Sequence, residues 1–316
     1  MSDKKSLTNQ GSLYNKKKRP SDIILLALIY LCALFAIFVV LFIVIYVIYR
    51  GIRVVDWTFL TSVKSTLKGI YGIAGNIVNT IYIVVITLLI TTPISVGAAI
   101  YLNEYAKPGP IVRLIEFTTE TLSGIPSVIF GLFGMMFFGN TLGLGYSILT
   151  GALTLTLLTM PLITRSTQEA LRTVPESYRS GALGIGATKW YMIRTILLPS
   201  AMPGIITGII LAIGRMVGES AALIFTAGSG YALPKTIAAA FSKIFQSGGT
   251  LTIEMYLRMS NGDYDNAFGI ALVLIVIVLF INFLTKYLSK RFDVHAVDER
   301  EKKKAKKLAA KEEKNA

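Results

Sequence analysis

One apolar segment of the sequence carries two opposite charges. Residues 203–226 contain Arg215 and Glu219 and are otherwise uncharged. An arginine near the middle of a membrane span costs about 2.5–3.5 kcal/mol on insertion scales, so a compensating interaction is expected. Glu219 lies four residues after Arg215 and would share its face on a continuous helix. The spacing therefore predicts that the two side chains pair within the span.

Two roles for this pair remain open: a structural ion pair that locks a helix bundle, or a charged site on a substrate path. The planar guanidinium group matches the oxygens of phosphate or carboxylate, so such a path would carry an oxyanion. The carboxylate would accept the protons of a protonated phosphate or hold the arginine until substrate arrives. Gly214 and Gly218, like Gly204 and Gly208, are four residues apart, which would let another helix approach closely.

The rest of the chain has the composition of a membrane protein. Its 316 residues are 53% hydrophobic, with a mean hydropathy of +0.61, and a span needs roughly 20 apolar residues. We therefore predict an all-α integral membrane protein with six transmembrane helices. The uncharged stretches place them near residues 23–49, 77–102, 203–226 and 267–285, with two more between Glu120 and Arg165, separated by a turn at residues 139–145. Pro126 removes a backbone hydrogen bond and is expected to bend the start of the third span.

Basic residues predict the orientation, since they accumulate on the cytoplasmic side. With the N-terminus inside, 24 of the 32 Lys and Arg residues are cytoplasmic and 7 are external. This favours an N-in, C-in arrangement, with residues 165–199 in the cytoplasm. The predicted divisions are a basic cytoplasmic tail (1–22), a first transmembrane helix (23–50), an external loop (51–71), a core of five spans (72–290) and a charged cytoplasmic tail (291–316).

Several function classes are disfavoured. The net charge of +14 lies mostly in the two tails, which lack interleaved aromatic residues. The tails therefore suit anchoring near anionic lipid better than binding nucleic acid. Cys32 and His295 are the single cysteine and histidine, so a disulfide within the chain is excluded and a histidine-based metal site or catalytic triad is disfavoured. No Gly-x4-Gly-Lys-Ser/Thr sequence occurs, so ATP binding through such a loop is not expected.

The charged segment 165–199 predicts two short cytoplasmic helices. Thr173 and Glu176 have the spacing of a capping box, which would begin a helix over residues 176–183. Gly184 and Gly186 would end it. Thr188 can cap a second helix over residues 189–197, and its apolar side chains are expected to be buried: Trp190, Ile193, Ile196 and Leu197.

This segment resembles the "EAA" loop of ABC importer permeases, because Gly186 is followed at the family's spacing by Ile196, Leu198 and Pro199. The resemblance implies a coupling helix that docks on a separate ATPase subunit. The motif's Glu-Ala-Ala positions hold Ser180, Gly181 and Ala182, so the usual glutamate is missing, and Arg179 or Glu176 could replace its contact. Ala187 completes the predicted coupling residues. An interfacial helix pair that only packs on lipid headgroups is the alternative.

Residues 211–226 are similar to the fifth span of PstA-type phosphate permeases, and the resemblance covers residues 72–291. Further similar stretches are 100–105, 123–131 and 165–170. The resemblance implies a MetI-like fold and a phosphate path through Arg165 and Arg215, with Glu219 as the acidic partner and Ser220 in the same motif. Arg165 could instead be a positive-inside anchor.

The implied partners are a PstC-like permease, a PstB-like ATPase dimer and an extracytoplasmic phosphate-binding protein, and membrane lipid surrounds the chain. The chain itself would need no cofactor and would not be an enzyme, because ATP is used by the partner. Three alternatives remain: a permease for another oxyanion or small solute, an ion-coupled secondary transporter, and a membrane signalling scaffold.

Overall fold

The computed structural model describes residues 20–65, 70–234 and 236–292. The chain divides into two units, residues 1–49 and 50–316. Helix α1 (Pro20–Gly51) provides the first unit, and its apolar side chains are exposed along its length. A helix that is apolar all round suits a lipid environment. Most of both predicted basic tails, with His295, lies outside the described residues.

The described residues of the second unit form helices joined by loops, and the strands among them are one antiparallel pair, β1–β2. Its elements are α2 (Trp57–Thr61), β1 (Val63–Ser65), β2 (Ile70–Ile73), α3 (Ala74–Ile100), α4 (Pro110–Gly124), α5 (Ser127–Gly134), α6 (Ile148–Arg172), α7 (Glu176–Gly184), α8 (Lys189–Met192), α9 (Leu198–Gly218), α10 (Ala221–Thr226), α11 (Ile237–Ser242), α12 (Leu251–Ser260) and α13 (Tyr264–Phe292). π-Helical turns extend α3 over Tyr101–Tyr105, α5 over Met135–Thr141 and α8 over Ile193–Leu197.

Within the described residues, five helices are long and apolar enough to cross a membrane. They are Ile24–Gly51, Ala74–Tyr105, Ile148–Arg172, Lys189–Gly218 and Tyr264–Tyr287. The sixth predicted span is a bent pair, in which Pro110–Gly124 meets Ser127–Thr141 at 101°. The straight part after the bend is only about 22 Å long at 1.5 Å per residue. The count of six therefore holds if the bent pair is taken as one span.

The predicted breaks around this short span lie where the sequence places them. Pro126 follows the end of α4 and precedes α5, so the chain bends where a backbone donor is missing. Gly143 and Gly145 adopt positive φ angles of 72° and 59° in the turn before α6. Such angles are accessible to glycine at little cost, and they allow the chain to reverse direction there.

Helix α6 lies at the centre of the second unit and packs on α3 and α9 through small and polar residues. Thr87 donates to the Ala152 carbonyl at 3.3 Å, which joins α3 to α6. On α9, a Cβ atom added at Gly204 would lie 2.6 Å from the Ala170 Cβ, and one added at Gly208 would lie 2.5 Å from the Ser166 Cβ. The predicted close approach at these two glycines is confirmed, and such small-residue contacts are typical of packed membrane helices.

Residues 165–199, which are predicted to be cytoplasmic and are called the cytoplasmic segment below, form the two predicted helices, with three corrections. Helix α7 covers Glu176–Gly184, Gly186 has a φ of +84°, and the Thr188 hydroxyl accepts from the Tyr191 amide at 3.3 Å. The predicted capping box is wrong, because Thr173 follows the end of α6 and donates to the Ala170 carbonyl at 2.8 Å.

The second helix also differs from its prediction, because it does not end near Pro199. It runs without a break from Lys189 to Gly218. A π-helical turn over Ile193–Leu197 directly precedes the proline-containing stretch, and local adjustments of this kind accommodate a missing proline N–H. Trp190 is 60% exposed, so its predicted burial is wrong, whereas Leu197 is fully buried.

Candidate substrate path and coupling surface

The two intramembrane charges do not pair, because the helix ends between them. Helix α9 stops at Gly218, and Glu219 has extended backbone angles of φ −79° and ψ 122°. Its carboxylate instead accepts from the Ala222 amide at 3.1 Å, and its carbonyl accepts from the Thr252 hydroxyl at 2.9 Å. The predicted Arg215–Glu219 ion pair is therefore wrong for the described residues.

Arg215 lies in the last turn of α9 and is exposed. Neither a hydrogen bond nor an ion pair holds it within the part of the chain that is described. Thr207, Leu211, Arg215 and Gly218 are all exposed, and their spacing places them on one face of the helix. A guanidinium group on a bare face is costly in hydrocarbon. This face therefore suits a water-filled path or another protein chain.

The break after Gly218 is fixed by packing on both sides. Ser220 is half-buried and begins α10 without a side-chain cap bond. A Cβ atom added at Gly131 would lie 2.8 Å from the Ala222 Cα, so α10 and α5 are in close contact. Non-helical backbone at membrane depth is tolerated where it is buried in protein or lines a cavity. The non-helical backbone at Glu219 and Ser220 is half-buried and directly precedes the Ala222 contact, so it matches the first case.

Arg165 lies on α6 and is held by two carboxylates. Its Nη1 contacts the Glu120 Oε1 at 2.9 Å, and its Nε contacts the Glu169 Oε1 at 3.4 Å. The Arg165 side chain remains 58% exposed. The two arginines that the resemblance assigns to phosphate passage therefore differ, since Arg165 is paired and Arg215 is not.

The predicted coupling residues divide into a surface group and a packing group. Ser180, Gly181 and Gly186 are exposed, whereas Ala182 is buried at 4% exposure. Four members are half-buried: Ala187, Ile196, Leu198 and Pro199. Of these, Ala187, Ile196 and Leu198 pack against a buried apolar cluster that includes Leu171 and Ile193. Sequence reasoning missed the exposed apolar side chains of this surface, because an apolar pattern suggests burial: Tyr178, Leu183, Ile185, Trp190 and Tyr191.

Arg179 holds this cytoplasmic segment to the rest of the unit. Its guanidinium group donates to Glu104 at 3.0 Å, to Glu176 at 3.2 Å, and to the Leu171 and Val174 carbonyls at 2.9 and 3.0 Å. The Glu104 side chain is only 5% exposed. Arg179 therefore bonds within the protein and does not replace the surface contact of the missing motif glutamate. The Glu176 side chain is 80% exposed and remains available for such a contact. Glu104 lies in residues 100–105, one of the stretches that are similar to PstA-type permeases. That similarity was the one feature of the sequence that could have indicated a role for Glu104.

A second anchored arginine lies in the last turn of α12. Arg258 contacts Glu254 and Asp263, both at 2.8 Å, and Glu254 also contacts Lys64 at 3.2 Å. Burial opposes ionisation of Asp263, but hydrogen bonds from Asn266 and Arg258 outweigh it and hold the pKa of Asp263 below its usual value. Among the described residues, no group of three or more His, Cys, Asp or Glu side chains is placed to hold a metal ion.

These features define a class before any relative is considered: a multi-span helical membrane protein with an exposed arginine face and a pair of short helices outside the spans. Residues 92–294 match the family described as "Binding-protein-dependent transport system inner membrane component". The chain belongs to this family. It is a multi-pass permease subunit in the bacterial plasma membrane, and members of the family work with an ATPase and a substrate-binding protein.

Named relatives and solved structures agree with this family. The chain is 37% identical over 244 residues to the probable ABC transporter permease protein YqgI of Bacillus subtilis, covering 74% of this chain and 83% of that protein. It is 33% identical over 244 residues to the phosphate transport system permease protein PstA 2 of Mycobacterium bovis, covering 75% and 78%. A bacterial ABC transporter involved in alginate import has a similar fold, with a TM-score of 0.63, 16% identity and coverage of 86% and 96%.

Proposed function

We propose that this permease imports inorganic phosphate and forms half of a pathway completed by a PstC-like permease. A PstB-like ATPase dimer and an extracytoplasmic phosphate-binding protein complete the proposed importer. The observation that carries the proposal is the exposed, unpaired Arg215 on a membrane-spanning helix. The phosphate permease names among its relatives support the choice of anion.

Arg215 would attract phosphate along the open face of α9. Its fork of donors suits tetrahedral oxyanions, and the helix places it beside the Glu219–Ser220 break. The Ser220 hydroxyl, which has no side-chain cap bond to α10, would donate to a passing phosphate oxygen. Glu219 would accept a phosphate proton or weaken anion binding by repulsion, so that phosphate is not trapped. Arg165 would contact phosphate only in a different conformation, in which its pairs with Glu120 and Glu169 are open; the paired arrangement seen here would not hold the free anion.

Transport would be driven through α7 and α8. Their exposed apolar and aromatic side chains offer a docking surface for the ATPase, and Ser180 stands where the family's glutamate would contact it. We propose that the contact here is mainly apolar. The permease would hold no cofactor and would catalyse no hydrolysis, since ATP would bind the partner subunit.

The test is uptake by the reconstituted complex, with phosphate, sulfate and molybdate compared in the presence and absence of ATP. We expect ATP-dependent accumulation of phosphate in preference to the other two anions. Equal or better uptake of sulfate or molybdate would reassign the substrate to another oxyanion. Uptake without ATP but with an ion gradient would instead support a secondary transporter.

A further inference from the structure

Two adjoining cavities lie beside α6, one apolar and one charged. The apolar cavity has a volume of about 490 Å³, and its lining includes Phe130, Phe133, Leu157 and Met160. The charged pocket has a volume of about 200 Å³ and lies between α4 and α6. Leu102 and Thr119 line both spaces. Together the two cavities offer a polar site that continues into an apolar one, which is the pattern of an amphipathic ligand.

The charged pocket contains both signs of charge. Arg172 contacts Glu116 at 3.3 Å, and Arg165 contacts Glu120 at 2.9 Å and Glu169 at 3.4 Å. All five side chains are at least 43% exposed, so a ligand can reach them. Two guanidinium groups and three carboxylates leave a formal excess of negative charge, which disfavours a free phosphate dianion. A zwitterion with one phosphate and one ammonium group matches this pocket better.

Gln168 provides an independent indication of a ligand. The residue lines the charged pocket and is only 8% exposed, yet its amide nitrogen has no hydrogen-bond partner among the described residues. A buried donor without an acceptor is costly and unusual. Because this nitrogen is itself covered, the side chain must rotate toward the pocket to reach a ligand oxygen.

Helix α4 indicates that the ligand comes from the membrane. None of its residues is buried, and Ile111, Leu114 and Phe117 are 73%, 63% and 66% exposed. The helix bends by 101° from the following span. An amphipathic helix of this kind lies at the boundary between headgroups and acyl chains. In the predicted topology this boundary is that of the cytoplasmic leaflet.

We propose that the paired cavities bind a phospholipid with a primary ammonium headgroup, of the phosphatidylethanolamine class. The phosphodiester accepts from Arg172 and Gln168, and the ammonium group donates to Glu116 and Glu120. One acyl chain occupies the apolar cavity past Leu102. Arginine has five donors, so Arg172 can bind the phosphate without leaving Glu116. A quaternary choline headgroup has no N–H to donate and fits less well.

The test measures lipid binding to the full permease complex by native mass spectrometry in detergent. Phosphatidylethanolamine, phosphatidylglycerol and phosphatidylcholine with identical acyl chains are compared. We expect the first to bind at least about tenfold more tightly, as the loss of one hydrogen bond to a charged group predicts. Equal binding of all three lipids would overturn the proposal.

Variants locate the site. Gln168→Leu and Arg172→Gln are each expected to weaken phosphatidylethanolamine binding about tenfold. Arg194→Gln is the matched control, because Arg194 is an exposed basic residue outside both cavities. Unchanged binding in both pocket variants, with unchanged thermal melting, would refute the assignment.

Two soluble probes separate lipid from free anion without any variant. Glycerophosphoethanolamine, which has the headgroup but no acyl chains, is expected not to displace the lipid at equal concentration, because it leaves the apolar cavity unfilled. Inorganic phosphate is likewise expected not to displace it. Displacement by inorganic phosphate would show that the pocket binds the free anion and would overturn the lipid proposal. The phosphate-uptake proposal rests on Arg215 and is tested separately.

Discussion

Arg179 and Arg215 show two different uses of the same side chain. Arg179 is 14% exposed and bonds to two carboxylates and two carbonyls. Arg215 is exposed and has neither an ion pair nor a hydrogen bond within the described part of the chain. All of the donors of Arg215 are therefore open to a ligand, whereas those of Arg179 are engaged in holding the cytoplasmic segment to α6.

The difference follows from where each helix ends. Arg179 is on α7 and faces the end of α6, where free carbonyls and Glu104 converge. Arg215 is in the last turn of α9, and the acidic residue that could have paired with it lies beyond the helix end. The contrast predicts that replacing Arg215 impairs transport with little effect on stability, and that replacing Arg179 does the reverse.

Arg215→Ala should give the largest effect on transport, a loss of phosphate uptake by about 100-fold, as expected when hydrogen bonds from a charged group to the substrate are removed. Thermal melting of the complex should stay unchanged, because no bond within the chain is lost. Arg215→Lys keeps the charge without the planar fork and should retain partial uptake. Normal uptake by the alanine variant would remove Arg215 from the substrate path.

Arg179→Ala should lower the free energy of unfolding by about 3–5 kcal/mol, because the buried Glu104 carboxylate loses its charged partner, although the Asn103 amide still donates to it at 2.7 Å. Chemical denaturation in detergent measures this loss. Arg194→Ala, at an exposed position, serves as the control and should change stability little. The double variant Glu104→Gln with Arg179→Ala should recover part of the loss, and the absence of any recovery would contradict a direct pair.

Gly186→Val extends the comparison to the loop that Arg179 holds. A β-branched residue at a φ of +84° is strained, at a cost of about 1–3 kcal/mol. Gly184→Val is the matched control, because an added Cβ atom has no neighbour within 4 Å at either glycine and Gly184 is helical. We expect weaker co-purification with the ATPase for the first variant alone. Equal retention of the ATPase by both would contradict a coupling role for this bend.

Asp263→Asn removes the ion pair with Arg258, the other anchored arginine. It has the smallest expected effect, a decrease of about 1 kcal/mol in the free energy of unfolding at neutral pH. The pKa of Asp263 is lowered in the folded state, so its contribution is complete above its unfolded pKa and is lost as the pH falls through the folded value. Melting curves of the variant and the natural chain should therefore converge below about pH 4. A constant difference across this range would show that ionisation of Asp263 contributes nothing.

Long apolar segments and their interruptions were predictable from the sequence, because both depend on local chemistry. The bend at Pro126, the turn at Gly143 and Gly145, and the cap at Thr188 each follow from one residue's backbone or hydroxyl. The Gly186 bend belongs to the same group. In each case the determining residue lies within a few positions of the feature it produces.

The wrong predictions share a different cause. Each inferred a contact or a buried position from the spacing of residues in the sequence, although the contact also depends on where the helix ends and what packs against it. A spacing of four residues places two side chains together only while the helix continues, and α9 ends at Gly218. Thr173 has the spacing of a capping box, but α6 extends far enough to include it in its own C-terminal turn. Trp190 fits an apolar pattern that elsewhere is buried. The contact between Arg179 and Glu104 joins positions 75 residues apart, so no local pattern could specify it.

The uninterrupted helix from Lys189 to Gly218 connects the exposed surface around Trp190 directly to Arg215. Its 30 residues span roughly 45 Å at 1.5 Å per residue, with the exposed Trp190 face at one end and Arg215 near the other. A tilt of about 5° around one end would displace the opposite end by about 4 Å at this length. That distance exceeds the reach of a hydrogen bond. If the ATPase imposes a small rotation on the Trp190 end, as proposed above, that rotation would be enough to connect or disconnect an anion at Arg215.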